Sequence, residues 1–201
     1  MSITRKHQNS AISTLFSSTQ AEVLGLLYGQ PEREFMGTEL IRQVGRGTGA
    51  VHRQLKQLTA SGLLTVTKRA NQTYYRADSR NPIFPELRGI FLKTTGLAEP
   101  LRKALAPFTG EIDAAFVYGS IASGMDRATS DIDLMVRSDT LTYVDIFEAV
   151  QSAERFLGRK VDPLVMSRDE WRRKLADPGS FVARVMAGPK LFVVGDLNDL
   201  A

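Results

Sequence analysis

The sequence predicts a two-domain chain, α+β in its N-terminal part and α/β in its C-terminal part, and three observations predict it. Three short helical patterns between residues 20 and 62 run into a strand–tip–strand pattern that ends near residue 77. From residue 113 onward, short apolar strands alternate with helical stretches, the pattern of a small α/β sheet. The charge also changes sign: residues 1–95 hold 13 Lys and Arg against 6 Asp and Glu, and residues 96–201 hold 13 against 16. A basic front and a mildly acidic back suit a polyanion-binding module joined to a domain that holds cations. With 201 residues and 43% apolar content the chain can bury a proper core. It has no cysteine, which excludes disulfides and thiolate metal sites and makes a reducing cytoplasm the expected setting. The first residues carry a basic pair but no apolar h-region, and no stretch reaches the ~18 apolar residues of a membrane span. Neither a secretory leader nor a membrane partner is expected.

In order, Val23, Leu24, Leu26 and Leu27 predict a buried helix ended by "GQP". "GTELIRQVG" predicts a second, with Thr38 as N-cap, Leu40, Ile41 and Val44 inward and Gly45 as the stop. In "GTGAVHRQLKQLTASG", Val51, Leu55 and Leu58 recur at i, i+4, i+7, and Gly62 supplies the C′ position. "LLTVTKR", "ANQ" and "TYYRA" then predict a hairpin with Lys68, Arg69, Asn71 and Gln72 at its tip. Three helices and a hairpin make a winged helix-turn-helix. A charged helix face is by itself ordinary. Here it occupies the recognition-helix position, so Thr48, Gly49, Ala50 and Arg53 are the candidates for base edges, with His52 on the same polar face. Lys56, Lys68 and Arg69 are the candidates for phosphates of double-stranded DNA. A DNA-reading module of this kind commonly works as a homodimer.

"DSRNPIFPE" is a connector by its prolines, followed by helices from about Pro85 to Thr95 and Glu99 to Ala106. The expected divisions are a winged helix over 1–80, a helical connector over 81–109 and an α/β domain over 110–201. In the last, "DAAFVYGS", "DIDLMV", "KVDPLVM" and "KLFVVGD" predict strands. Helices are expected at "YVDIFEAVQSAERFLG", with Val144, Phe147, Val150 and Leu157 inward, and at "RDEWRRKLA" and "SFVARVMAG". Trp171 is expected to pack, and Arg172, Arg173 and Lys174 to form a solvated face.

Chemistry concentrates in "GSIASGMDRATSDIDLMV", residues 119–136. On a strand Asp131 and Asp133 project the same way, while Ile132 and Leu134 enter the core. Two carboxylates on one face repel unless a cation lies between them, and hard divalent ions take oxygen ligands. Gly119 leaves backbone N–H groups open to a phosphate and Ser120 adds a hydroxyl. Asp162, isolated in an otherwise apolar strand, is the candidate third carboxylate, because burying it alone is costly. As a second-ion ligand it would also help deprotonate an attacking hydroxyl.

These residues resemble the signature of the DNA polymerase beta nucleotidyltransferase superfamily in its minimal, prokaryotic branch. Together with the winged helix, "YYR", "NPIFPELRG" and "GPKLFVVGD", nearly the whole chain is similar to a group in which a winged-helix transcriptional regulator is fused to such a domain. The resemblance implies a polymerase-beta-like α/β domain with a mixed sheet, Mg2+ or Mn2+ as cofactor, and an NTP as substrate. It implies Asp131, Asp133 and Asp162 as metal and catalytic ligands, and Gly119, Ser120 and Ser130 around the nucleotide. A protein hydroxyl is one acceptor the resemblance allows, as in antitoxins that adenylylate a partner toxin. The sequence departs from the pattern at Ile121, where many minimal members carry a basic residue; Arg127 is the candidate substitute. The alternative is a regulator whose α/β domain binds or senses nucleotide without transfer.

Overall fold

The computed structural model describes residues 12–127 and 130–200, and its contacts divide the chain into two compact units, Met1–Leu97 and Ala98–Ala201. Among the described residues no helix is long and apolar enough to cross a membrane.

The first unit is a winged helix-turn-helix. Helix α1 (Ser18–Gly29) opens on a capping box in which Ser17 Oγ accepts from the Gln20 amide and Gln20 Oε1 accepts from the Ser17 amide. Its residues from Val23 to Gly29 are all buried, so it is the axis on which the other helices pack. Helices α2 (Gly37–Val44) and α3 (Thr48–Ala60) are joined by a turn at Gly45, whose φ of 65° is left-handed. Helix α2 starts at Gly37 with Met36 as N-cap and no side-chain cap bond, so Thr38 lies inside the first turn rather than capping it. The α3 stripe of Val51, Leu55 and Leu58 is buried, and beyond Ser61 the chain reverses at Gly62, φ 72°, with Leu63 N–H donating to Leu58 O at 3.0 Å.

A three-stranded antiparallel sheet closes this unit in the order β1–β3–β2, with β1 Phe35–Met36, β2 Leu64–Arg69 and β3 Gln72–Ala77. The two-residue β1 is too short to carry a periodicity, so sequence patterning missed it. Arg69 pairs with Gln72, which leaves Ala70 and Asn71 as a two-residue turn with Ala70 at φ 51°.

The stretch expected as a connector is shared between the units. Helix α4 (Phe84–Lys93) packs on α1, where the Phe91 ring meets those of Phe16 and Tyr28. Helix α5 (Ala98–Leu105) packs in the second unit.

That second unit is a four-stranded mixed sheet in the order β6–β5–β4–β7, from β4 Ala114–Val117, β5 Ile132–Arg137, β6 Val161–Met166 and β7 Leu191–Val194. Strands β4 and β5 and strands β4 and β7 are antiparallel, while β5 and β6 are parallel and linked by helix α7 (Tyr143–Leu157). Pro163 is tolerated because β6 is an edge strand. Helices α5 and α7 pack together on one side. On α7 the buried residues are Ile146, Val150, Ala153 and Leu157, and Val144 is 58% exposed. The stripe is therefore rotated from the expected one, since 146, 150, 153 and 157 recur at i, i+4, i+7 and i+11 and share one face, with Val144 roughly opposite. On the other side of the sheet Phe116, Met135 and Met166 form a core with Trp171 of α8 (Arg168–Ala176) and Val182 and Val185 of α9 (Phe181–Ala187). Trp171 is fully buried, edge-on to Phe116.

Candidate functional site

Alternation puts Tyr118, Asp133 and Asp162 on the face that α8 and α9 partly cover, because they share parity with Phe116, Met135 and Leu164 of that core. Ile132 and Leu134 are fully buried on the opposite face, as the D-x-D pattern requires. In the parallel ladder Asp133 stands directly beside Asp162 on strands about 4.8 Å apart. Asp131 lies just before β5, whose first pairing is Ile132 with Val161. Asp131 and Asp162 are exposed and Asp133 is half-buried.

The electrostatics of this cluster are those of an unneutralised anion site. Burial pushes the Asp133 carboxyl up, and the neighbouring charges of Asp162 and then Asp131 push it further. Among the described residues no ion pair reaches any of the three. Among the described residues no group of three or more His, Cys, Asp or Glu side chains is arranged to hold a metal ion. Carboxylate oxygens are nevertheless the donor type that hard divalent cations take.

The Gly-Ser turn is built against the same carboxylate. Tyr118 N–H donates to Asp133 O at 3.1 Å, and the chain then turns at Gly119 with φ 71° into the short helix α6 (Gly119–Ser123), which ends at Gly124. A Cβ at Gly119 would be driven into Oδ2 of Asp133. The glycine thus makes room for the candidate ligand as well as supplying the turn. Ser120 begins the first turn of α6 and is half-buried. Ile121 is 1% exposed and packs into the unit, so its side chain offers nothing to a phosphate.

Ser130 is tied into the loop before β5, where its Oγ accepts from the Arg127 amide at 2.9 Å. Its carbonyl accepts from Arg159, at 2.8 Å from Nε and 2.6 Å from Nη2. Sequence patterning missed Arg159 and its ion-pair partner Asp126, since a lone Arg before a strand has no periodic signal. It also missed Tyr118, whose hydroxyl is pushed up to about 12 by burial and then by the charges of Asp133 and Asp162. Its ring stands edge-on to Phe116 and Phe181.

In the first unit Thr48, Gly49, His52, Arg53 and Lys56 are exposed along α3, and Ala50 is half-buried. No side chain caps the N-terminus of α3 at Gly47, and helix N-termini favour phosphate. His52, Lys56, Thr59 and Ala60 line a cleft of about 550 Å3 with Val66 and Tyr75 of the wing. Lys68 is exposed on the wing, whereas Arg69 already pairs with Glu34 at 2.7 Å and lies over the Tyr74 ring. Arg46, at the turn before α3, is held by both carboxylate oxygens of Glu22.

Residues 101–174 match the family model described as Polymerase beta, Nucleotidyltransferase, a span that contains Gly119, Ser120, Ser130, Asp131, Asp133 and Asp162. No curated protein matches the chain. Among solved structures, the crystal structure of NolR from Sinorhizobium fredii is similar at 25% identity with a TM-score of 0.32, over 45% of this chain and 91% of that one.

Proposed function

We propose that the C-terminal unit is a metal-dependent nucleotidyltransferase and that the N-terminal unit binds duplex DNA, in a cytoplasmic protein that acts as a homodimer on its DNA. The observation that carries the first half is the pairing of Asp133 with Asp162 beside a Gly-Ser turn, in the stretch that matches the nucleotidyltransferase model. Asp131, Asp133 and Asp162 would hold Mg2+ or Mn2+, which supplies charge neutralisation to the triphosphate and the leaving pyrophosphate. Gly119, Ser120 and Ser130 hold the triphosphate, and Tyr118 donates a hydrogen bond beside it. Asp162, the most exposed position on the edge strand, takes the proton of the attacking hydroxyl. The new O–P bond forms at the α-phosphorus as its bond to the bridging oxygen breaks, and pyrophosphate leaves with that electron pair. The side chains act by positioning and by compensating charge.

The test is incubation of the purified protein with labelled NTPs and Mg2+, with Asp131→Asn/Asp133→Asn as control. Label on an acceptor hydroxyl, lost in the control, is the expected result. The acceptors to try first are hydroxyls of the protein itself and of a small partner toxin, which suit an antitoxin that also represses transcription.

One observation favours the second reading, a nucleotide sensor without transfer. The burial of Ile121 removes a side-chain contact to the triphosphate next to the Gly-Ser turn. Saturable NTP binding with no label on any acceptor would establish the sensor and sink the transferase.

For the DNA half, replacing Arg53 and Lys56 with Ala together should abolish duplex binding and flatten its salt dependence by about one phosphate contact, that of Lys56. Unchanged affinity and slope would reject α3 as the recognition helix.

A further inference from the structure

The buried ion pair between Arg159 and Asp126 has no role in the reaction described above, and it lies where the three carboxylates are assembled. Both side chains are nearly out of water, 6% and 2% exposed, with Nη1 2.8 Å from Oδ2. A pair buried to this degree gains little stability over apolar packing, because desolvation offsets the attraction. What distinguishes this one is the reach of the guanidinium. Besides Asp126 it donates to Arg127 O at 2.9 Å and, from two nitrogens, to Ser130 O. Arg159 thereby holds both ends of the loop that leads into β5.

The position of Asp131 depends on this clamp. Asp133 and Asp162 are held relative to one another by the β5–β6 ladder, but that ladder begins at Ile132 with Val161. Two residues earlier, the chain at Ser130 is fastened by Arg159, which is itself three residues before Asp162. The Ile132 amide donates to Lys160 O at 2.8 Å and completes the seam. Only a planar fork with several fixed N–H groups makes these contacts at once, and an ammonium does not.

We propose that Arg159, braced by Asp126, is a positioning residue that sets Asp131 against the Asp133–Asp162 pair and so determines divalent-cation affinity. This rests on the reading of the three aspartates as metal ligands. The test is Mn2+ binding by the full chain without nucleotide, read by electron paramagnetic resonance, with circular dichroism melts to compare folds. Arg159→Met should weaken Mn2+ on the order of tenfold, the usual cost of losing a group that orients a ligand. Arg159→Lys should recover part of that loss. Arg159→Met added to Asp131→Asn should cost little more than Asp131→Asn alone, because both remove the same ligand. Asp126→Asn keeps the shape of the pair and gives the same comparison should Arg159→Met fail to fold.

Wild-type affinity in folded Arg159→Met or Asp126→Asn, or fully additive losses with Asp131→Asn, would reduce the pair to a structural staple and overturn the proposal alone. Absence of Mn2+ binding by the wild type, or binding that Asp133→Asn leaves intact, would overturn the metal reading and this proposal with it.

Discussion

Gly119→Ala is the substitution that most directly probes how the turn and the carboxylate fit together. The backbone at 119 has φ 71°, and an alanine in the left-handed region costs about 1–2 kcal/mol. Its Cβ would also meet Asp133 Oδ2, so the carboxylate must swing away, and an off-rotamer side chain costs roughly 0.5–1.5 kcal/mol. The sum is about 1.5–3.5 kcal/mol, which lowers the midpoint of a domain of this size by roughly 7–17 °C. Trp171 is the only tryptophan of the chain and is buried in the C-terminal unit, so its fluorescence follows that unit alone. Gly110→Ala is the control: a Cβ there meets nothing within 4 Å, and the effect should stay within about 0.5 kcal/mol. Gly119→Ala should also lose Mn2+ affinity, because the displaced carboxylate is one of the proposed ligands. A Gly119→Ala protein that melts with the wild type and binds Mn2+ equally well would refute the reasoning.

Asp133→Asn should stabilise the metal-free C-terminal unit at pH 7. Burial and two neighbouring carboxylates raise the Asp133 carboxyl in the folded state, so its ionisation opposes folding above that raised value, and the penalty fades as pH falls toward the ordinary carboxylate range. Trp171 melts in EDTA from pH 7 to pH 4 should show the advantage shrinking, and saturating Mn2+ should reverse the order of the two proteins. Ala70→Gly should stabilise the N-terminal unit by about 0.5–1 kcal/mol, because glycine relieves φ 51° in the wing turn at some cost in unfolded-chain entropy; circular dichroism melts read it. Thr142→Ala removes a hydroxyl that accepts from the Asp145 amide in the capping box of α7 and should cost the C-terminal unit about 1 kcal/mol in denaturant titrations followed by Trp171.

Features governed by local geometry were legible in the sequence. The stripe of Val51, Leu55 and Leu58 has the period of a helix, and all three are buried. Ile132 and Leu134 alternate with two aspartates, which fixes opposite faces for the two sets whatever the strand pairs with. Gly45 and Gly62 sit where only a residue at ease with positive φ ends a helix, and both are there at positive φ. Val144 was misplaced because two residues along a helix turn about 200°, so the face that buries Ile146, Val150, Ala153 and Leu157 leaves Val144 in solvent.

Long-range pairing decided the rest. Nothing in the spacing of Asp133 and Asp162, 29 residues apart in the chain, states that they are neighbours; the parallel register of β5 on β6 does. The same packing carries Gly119 under the Asp133 carboxylate, brings the Tyr118 hydroxyl to both charges, and closes Arg159 over the loop before Asp131. Backbone periodicity sets which way a side chain points, so the alternation in β5 was enough to turn Asp133 away from Ile132 and Leu134, while Tyr118, Asp126 and Arg159 carried no such signal. What those side chains meet depends on strands and loops far apart in the chain being brought together by a shared core, which local periodicity does not encode.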